Sequence, residues 1–265
     1  MANNPPEPPK RWMNMAVQDT EKPLRTVRSY VLRQGRMTPA QREALDTLWG
    51  RYGVTPADTD LDLDGLFGRR APRALEIGFG MGDALAAMAE AHPEQDFLGI
   101  EVHRPGVGSL LRQIEQRDLR NVRVMCADAV QVLEQQIPDS SLDAVHLFFP
   151  DPWPKRRHHK RRLVQEQFVA LIAQKLKSNG VFHFATDWQE YTEQVLDVMS
   201  NAPEFINAAG SGNYSPRPDY RPLTKFERRG QRLGHQVWDL MFSKTPSDIA
   251  SCAPHDTSDY PAGVA

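Results

Sequence analysis

A continuous run from Leu147 to Arg162 joins an apolar segment (Leu147-Phe148-Phe149) to a proline-fenced acid and aromatic (Pro150-Asp151-Pro152-Trp153-Pro154) and then to a dense set of cations. Proline fixes its own φ and restricts the residue before it, so Asp151 has little backbone freedom. That rigidity suits a carboxylate that must be held in one place. The cations that follow (Lys155, Arg156, Arg157, Lys160, Arg161 and Arg162, with His158 and His159 among them) suggest a phosphate backbone as partner, the alternative being a solvated surface loop. Adjacent histidines do not face one metal ion from a regular helix, so His158 and His159 point to phosphate contact or solvation, and no metal site is expected.

A second constellation lies upstream. Glu76-Ile77-Gly78-Phe79-Gly80-Met81-Gly82 sets three alternate glycines where a strand turns toward a helix, which lets backbone approach a ligand without obstruction by Cβ. Glu101 and Asp128 end the next two strand-like runs, at the carboxyl edge where open α/β sheets bind ligands. The spacing is G-x-G-x-G rather than G-x-G-x-x-G, and Asp83 at the helix start repels phosphate. A ligand without phosphates and with a cationic end that Glu76 can attract fits these terms. S-adenosylmethionine, with adenine, ribose, sulfonium and amino-acid tail, is such a ligand.

These residues need a scaffold, and the chain alternates in the manner of one. Strands are expected at Arg73 to Gly80, Phe97 to Val102, Val122 to Cys126, Leu142 to Phe149 and Gly180 to Ala185, with helices at Asp83 to Ala91, Pro105 to Gln116, Val130 to Ile137, Val164 to Leu176 and Trp188 to Met199. Five β/α units in series require a parallel, doubly wound sheet. A late strand, His235 to Ser243, is expected antiparallel at the sheet's edge. Thr38-Pro39 offers an N-cap and first-turn pair for a helix through Trp49, while Asp58 to Arg70 reads as a loop. The expected organisation is a disordered arm (1–22), a basic helical extension (23–70), a single catalytic domain (71–244) with a loop-rich basic insert about 203–232, and a disordered tail (245–265).

Composition narrows the class. A hydrophobic content of 40% supports a substantial core, and no apolar run nears the ~20 residues of a membrane span. The polar, proline-rich start lacks a signal-peptide core, so a cytoplasmic location is expected. Cys126 and Cys252 are too far apart in sequence to suggest a metal site or disulfide framework. Net charge is −2, but residues 10–36 and 151–165 each carry +5 and residues 217–232 carry +4, leaving −16 for the rest. Such segregation can build a basic face on an acidic body and steer a polyanion.

Glu-Ile-Gly-Phe-Gly-Met-Gly at 76–82, Gly-Ile-Glu-Val-His at 99–103, Phe-Pro-Asp-Pro-Trp-Pro-Lys at 149–155, the basic run 157–162, Ala-Thr-Asp at 185–187 and Thr-Lys-Phe-Glu at 224–227 together resemble the bacterial tRNA (guanine-N7-)-methyltransferases. The resemblance spans roughly Arg25 to Ser243. It implies a Rossmann-like seven-strand methyltransferase fold, S-adenosylmethionine as donor, and a guanine of the tRNA variable loop as acceptor. Carried over, the donor-binding residues fall on Glu76, Gly78, Gly80, Gly82, Glu101, Asp128 and Asp151. The substrate contacts fall on Lys155, Asp187, Thr224, Lys225, Phe226 and Glu227, and the RNA-contacting run on Arg157, His158, His159, Lys160, Arg161 and Arg162. Pro154 stands where some members carry histidine, so that position is given no catalytic role.

Guanine N7 carries no proton at neutral pH, so in-line attack on a sulfonium methyl needs no general base, and positioning dominates. Asp151 is expected to be the essential carboxylate, with Asp187 or Glu227 also able to offset charge on the base. Trp153 and Phe226 are candidate stacking platforms or, alternatively, ordinary packing. The rivals are a methyltransferase for another RNA or a small molecule on the same fold, and a catalytically silent RNA-binding relative.

Overall fold

The computed structural model describes residues 29–30, 35–223, 227–228, 234 and 236–246. The expected arm at 1–22 and all of the tail beyond 246 lie outside them, as does most of the basic segment before residue 35. The frame is an eight-stranded sheet in the order β1-β4-β3-β2-β5-β6-β8-β7. Its strands are β1 (Gly53–Val54), β2 (Arg73–Ile77), β3 (Asp96–Ile100), β4 (Val122–Met125), β5 (Leu142–Phe148), β6 (Leu176–Thr186), β7 (Phe205–Asn207) and β8 (Trp238–Lys244). The helices are α1 (Pro39–Tyr52), α2 (Leu63–Phe67), α3 (Asp83–Ala91), α4 (Arg104–Gln116), α5 (Ala129–Gln135), α6 (Glu166–Lys175) and α7 (Gln189–Ser200), with a 3-10 helix at Arg156–Arg161.

The five expected strands run parallel to one another, in register from Ile77 opposite Ile100 to Phe148 opposite Ala185. Alternation along β5 sorts the core onto two faces. Val145 and Leu147 join Phe182, Phe184, Leu240 and Phe242 under α5 to α7. Phe148 joins Ala185, Leu85, Leu110 and Leu45 under α1, α3 and α4. Because β2 has β3 on one side and β5 on the other, the chain reverses direction across the sheet there, and a crevice opens at the carboxyl ends of these strands.

The expected methyltransferase sheet is present, with the two-residue β1 added parallel to β4 at one edge among the described residues. Two local expectations are corrected. The late strand β8 is antiparallel to β6 but lies inside the sheet, because β7 pairs antiparallel beyond it. The segment 58–70 contains α2, capped by Asp62, whose Oδ1 accepts from Gly65 N at 2.9 Å. Strands of two and three residues are too short to show a period of two, and a single helical turn too short to show 3.6.

The helix starts follow their local chemistry. Thr38 and Gln41 close a capping box on α1, with Pro39 in the first turn. Pro105 opens α4, and Asp128 caps α5 by accepting from Val130 N at 3.0 Å. In α4, Gly106 is fixed by proximity: a Cβ there would stand 2.0 Å from the Gly80 carbonyl oxygen. Gly106→Ala is therefore expected to destabilise by about 1–3 kcal/mol through backbone displacement of the glycine loop. Gly50→Ala in α1, where a Cβ meets nothing within 4 Å, should be neutral or stabilising. Thermal unfolding of the pair checks this; equal melting temperatures for both would contradict it.

Candidate active site

The crevice holds a cavity of about 340 Å³ lined in part by Gly78, Glu101, Asp128, Asp151 and Leu163, with Ser29 and Tyr30 forming one wall. Gly78, Gly80 and Gly82 all take left-handed φ, at 71°, 59° and 81°. A Cβ at Gly78 or Gly80 would enter open space, whereas one at Gly82 would strike Leu110. So the first two glycines leave room at the crevice, and the third allows α3 to pack on α4.

Each acid reaches this loop differently. Glu101 Oε2 accepts from Gly80 N at 2.8 Å and its Oε1 from His103 N at 2.8 Å, so this carboxylate shapes the loop as well as lining the cavity. Asp128 likewise spends one oxygen on its helix cap. Glu76 does not line the cavity. It is buried at the end of β2, its Oε2 has no hydrogen-bond partner, and burial, then the Glu101 charge, pushes its carboxyl up to about 8. Asp151 is exposed at the cavity rim.

The turn that carries Asp151 is bracketed by two non-glycine residues in left-handed backbone, Phe149 (φ 50°) and Trp153 (φ 46°). Phe149 N donates to Ala185 O at 2.7 Å, locking the turn to β6. Trp153 is already engaged: its Nε1 donates to Ser29 O at 3.0 Å, and the Arg161 guanidinium lies 4.7 Å from its ring centroid. Trp188, which sequence reading passed over, is exposed beside Asp187, itself exposed just past the end of β6.

The basic run divides. Lys155, Arg156, Arg157 and Lys160 are exposed on and beside the 3-10 helix, while His158 and Arg161 are partly buried against Trp153. His159 Nε2 is buried 3.4 Å from Glu190 Oε1 without hydrogen-bond geometry. Arg162 is corrected. It is buried, and its Nε donates to Pro152 O at 2.8 Å and its Nη1 to Gln194 Oε1 at 2.7 Å, so it is not available to an RNA phosphate.

Glu227 is corrected as well. It is buried, its two oxygens accepting from Arg221 Nη1 and Nη2 at 2.7 and 2.9 Å, rather than presented to a base. Thr224, Lys225 and Phe226 lie outside the described residues. Arg221 also donates to both oxygens of Asp239, at 2.7 and 2.9 Å. Burial works to lower the Arg221 pKa, but these two carboxylates outweigh it and raise it. Asp239 accepts in turn from His183 Nε2 at 2.7 Å, which leaves His183 Nδ1 to accept from Tyr220 O–H at 2.7 Å. Beside them, His146 stacks between Phe148 and Tyr220 and is pushed down to about 3 by burial and by His183, so it stays neutral. This cluster was missed. Its signal was present, because His146, His183 and Asp239 are each polar residues flanked on both sides by apolar ones in their strands.

Comparison with known proteins accords with this geometry. A family model described as "Putative methyltransferase" matches residues 70–240. A protein of Sodalis glossinidius named tRNA (guanine-N(7)-)-methyltransferase is 61% identical over 222 residues, covering 84% of this chain and 93% of its own. One of Alcanivorax borkumensis with the same name is 58% identical, covering 85% and 95%. The chain belongs to the tRNA (guanine-N7-)-methyltransferase family. In fold it is similar to the 16S rRNA methyltransferase KamB, with a TM-score of 0.53 and 15% identity over 72% of this chain and 96% of that one. No helix among the described residues is long and apolar enough to cross a membrane, and no group of three or more His, Cys, Asp or Glu there is arranged to hold a metal ion.

Glu227 is thus tied to Asp239 of β8 through the buried Arg221 guanidinium. Arg221→Met is expected to cost about 3–5 kcal/mol in urea unfolding, because it removes four hydrogen bonds from two buried carboxylates. A loss below about 1 kcal/mol, the ordinary cost of an exposed pair, would contradict this reading.

Proposed function

We propose that the protein transfers the methyl group of S-adenosylmethionine to N7 of a guanine in the variable loop of tRNA. The observation that carries this reading is the junction at Asp151: one proline-fenced turn borders the cavity lined by Gly78, Glu101 and Asp128 on one side and leads into exposed Lys155, Arg157 and Lys160 on the other. Identity of 58–61% to relatives of that name supports it.

The residues fit the donor. Gly78 and Gly80 leave space for it at the crevice, Glu101 and Asp128 line the cavity with acceptors for hydroxyl and amino groups, and buried Glu76 has an unpartnered oxygen at the end of β2. When bound, S-adenosylmethionine supplies an electrophilic methyl on a sulfonium. The protein's task is then positional: alignment of nucleophile and methyl is worth about 7–11 kcal/mol of barrier. Asp151 stands at the rim to hold donor and base together, and Asp187 sits near the carboxyl end of the neighbouring strand to accept from guanine N–H groups and offset its developing charge. The exposed cations hold phosphates, and Trp188 offers an aromatic surface for an extruded base.

Glu76 gives the donor site a pH signature. With its pKa near 8 it is mostly protonated at neutral pH, and a cationic ligand favours its ionised form. Donor binding should release a proton, and affinity should fall by up to about tenfold per unit as pH drops below 8. Calorimetry in buffers of different ionisation enthalpy measures this; absence of proton release, or a pH profile unchanged in Glu76→Gln, would refute it.

The reaction is tested with methyl-labelled S-adenosylmethionine and unmodified tRNA, followed by mapping of the product base. Label at N7 of a variable-loop guanine is expected; label in a small molecule or another RNA, or none with donor bound, favours the corresponding rival. Asp151→Ala should lower single-turnover methylation at least about a hundredfold while retaining tRNA binding. A wild-type rate in that variant would remove Asp151 from its role.

A further inference from the structure

The turn around Asp151 has an unusual supply of backbone donors. Pro150, Pro152 and Pro154 remove three N–H groups within five residues, and the segment 150–154 has no regular secondary structure. A turn so depleted is held through its carbonyls and side chains. The Pro152 carbonyl, directly between Asp151 and Trp153, accepts from Arg162 Nε at 2.8 Å.

The environment of Arg162 is built around that contact. Its side chain is 1% exposed, its guanidinium lies 5.0 Å from the Tyr191 ring centroid, and its Nη1 donates to Gln194 Oε1 at 2.7 Å. Gln194 is itself anchored, donating from Nε2 to Val164 O at 3.2 Å. Nη2 is buried without a hydrogen bond, 3.8 Å from Glu190 Oε2. A rigid planar fork can address a carbonyl and an amide together, which a lysine ammonium on a flexible stem does not reproduce. Burying a cation is costly, so its burial under this turn calls for a role there.

We propose that Arg162 is a positioning residue for methyl transfer, fixing the Pro152 carbonyl and thereby the placement of Asp151 at the cavity rim, with α7 as its anchor through Gln194. The proposal rests on the methyl-transfer reading above and assigns Arg162 no contact with tRNA. A guanidinium that gripped phosphate would govern tRNA affinity and its salt dependence. One that sets the turn governs the rate after both substrates are bound.

Steady-state and single-turnover methylation of tRNA by the full chain separates the two, with Arg157→Ala as the phosphate-contact comparison. Wild-type protein inactive on tRNA would defeat the functional reading before any variant is compared. With active wild type, Arg162→Lys is expected to lower kcat about tenfold to a hundredfold, with tRNA KM within about twofold and the salt slope of binding unchanged. Gln194→Leu, which leaves Arg162 in place, should lower kcat in the same direction by a smaller factor, and the double variant should fall short of the product of the two effects. A raised tRNA KM with a shallower salt slope, as in Arg157→Ala, would overturn the proposal. So would wild-type kcat in the folded Arg162→Lys protein. Should Arg162→Lys fail to fold, Gln194→Leu decides alone: a lower kcat at unchanged KM supports positioning, and an unchanged kcat overturns it.

Discussion

The structure depends on holding Phe149 and Trp153 in left-handed backbone, with Asp151 between them. Each such non-glycine residue costs on the order of 1–3 kcal/mol and persists only where its surroundings over-determine it. Four separate contacts do so here. Phe149 N is bonded to Ala185 O, the Arg221 guanidinium lies 5.7 Å from the Phe149 ring, Arg162 holds Pro152 O, and Trp153 Nε1 holds Ser29 O. They come from β6, from the segment before Glu227, from the residue after the 3-10 helix and from the N-terminal segment. The turn is therefore a meeting point of distant parts of the chain.

Charge is sorted by burial rather than by sign alone. Arg162 and Arg221 lie in the interior with their partners, while Lys155, Arg156, Arg157 and Lys160 remain in solvent. The acids divide in the same way. Glu76, Glu227 and Asp239 are buried, and Asp151 and Asp187 are exposed. A buried ion pair contributes little net stability, because desolvation offsets attraction, but it fixes geometry when every member is hydrogen-bonded. The Arg221 cluster fits that use: it ties β6 and β8 to the segment carrying Glu227.

Much of this was legible in the sequence. The five parallel strands and their helices announced themselves through apolar runs and helical spacing, and the glycine spacing with Glu101 and Asp128 located the cavity. The misses have physical causes. β1 and β7 are too short to carry a period, and the insertion of β8 between β6 and β7 is a choice among edges that local pattern does not encode. Arg162 follows Lys160 and Arg161 in an unbroken basic run, and nothing in residue type distinguishes a cation folded inward from one left outside. The reading of Glu227 as a substrate contact rests on the family resemblance alone, and nothing in residue type announces that Arg221, six residues earlier, buries it.

The division of labour among carboxylates bears on why the chemistry can proceed without a base. Guanine N7 enters with a lone pair and leaves with a positive charge, so the protein needs negative charge near the acceptor and no proton sink. A carboxylate buried as deeply as Glu76 is poorly suited to that task, since burial favours its protonated form. An exposed carboxylate on a loose loop would keep its charge but lose its place. In the role proposed for it, Asp151 resolves the conflict by combining an exposed side chain with a backbone fenced by prolines and pinned through its neighbours. Its carboxylate can remain in water until the substrate covers it, and its position is set before the substrate arrives, which is the condition for electrostatic stabilisation without reorganisation at the moment of transfer.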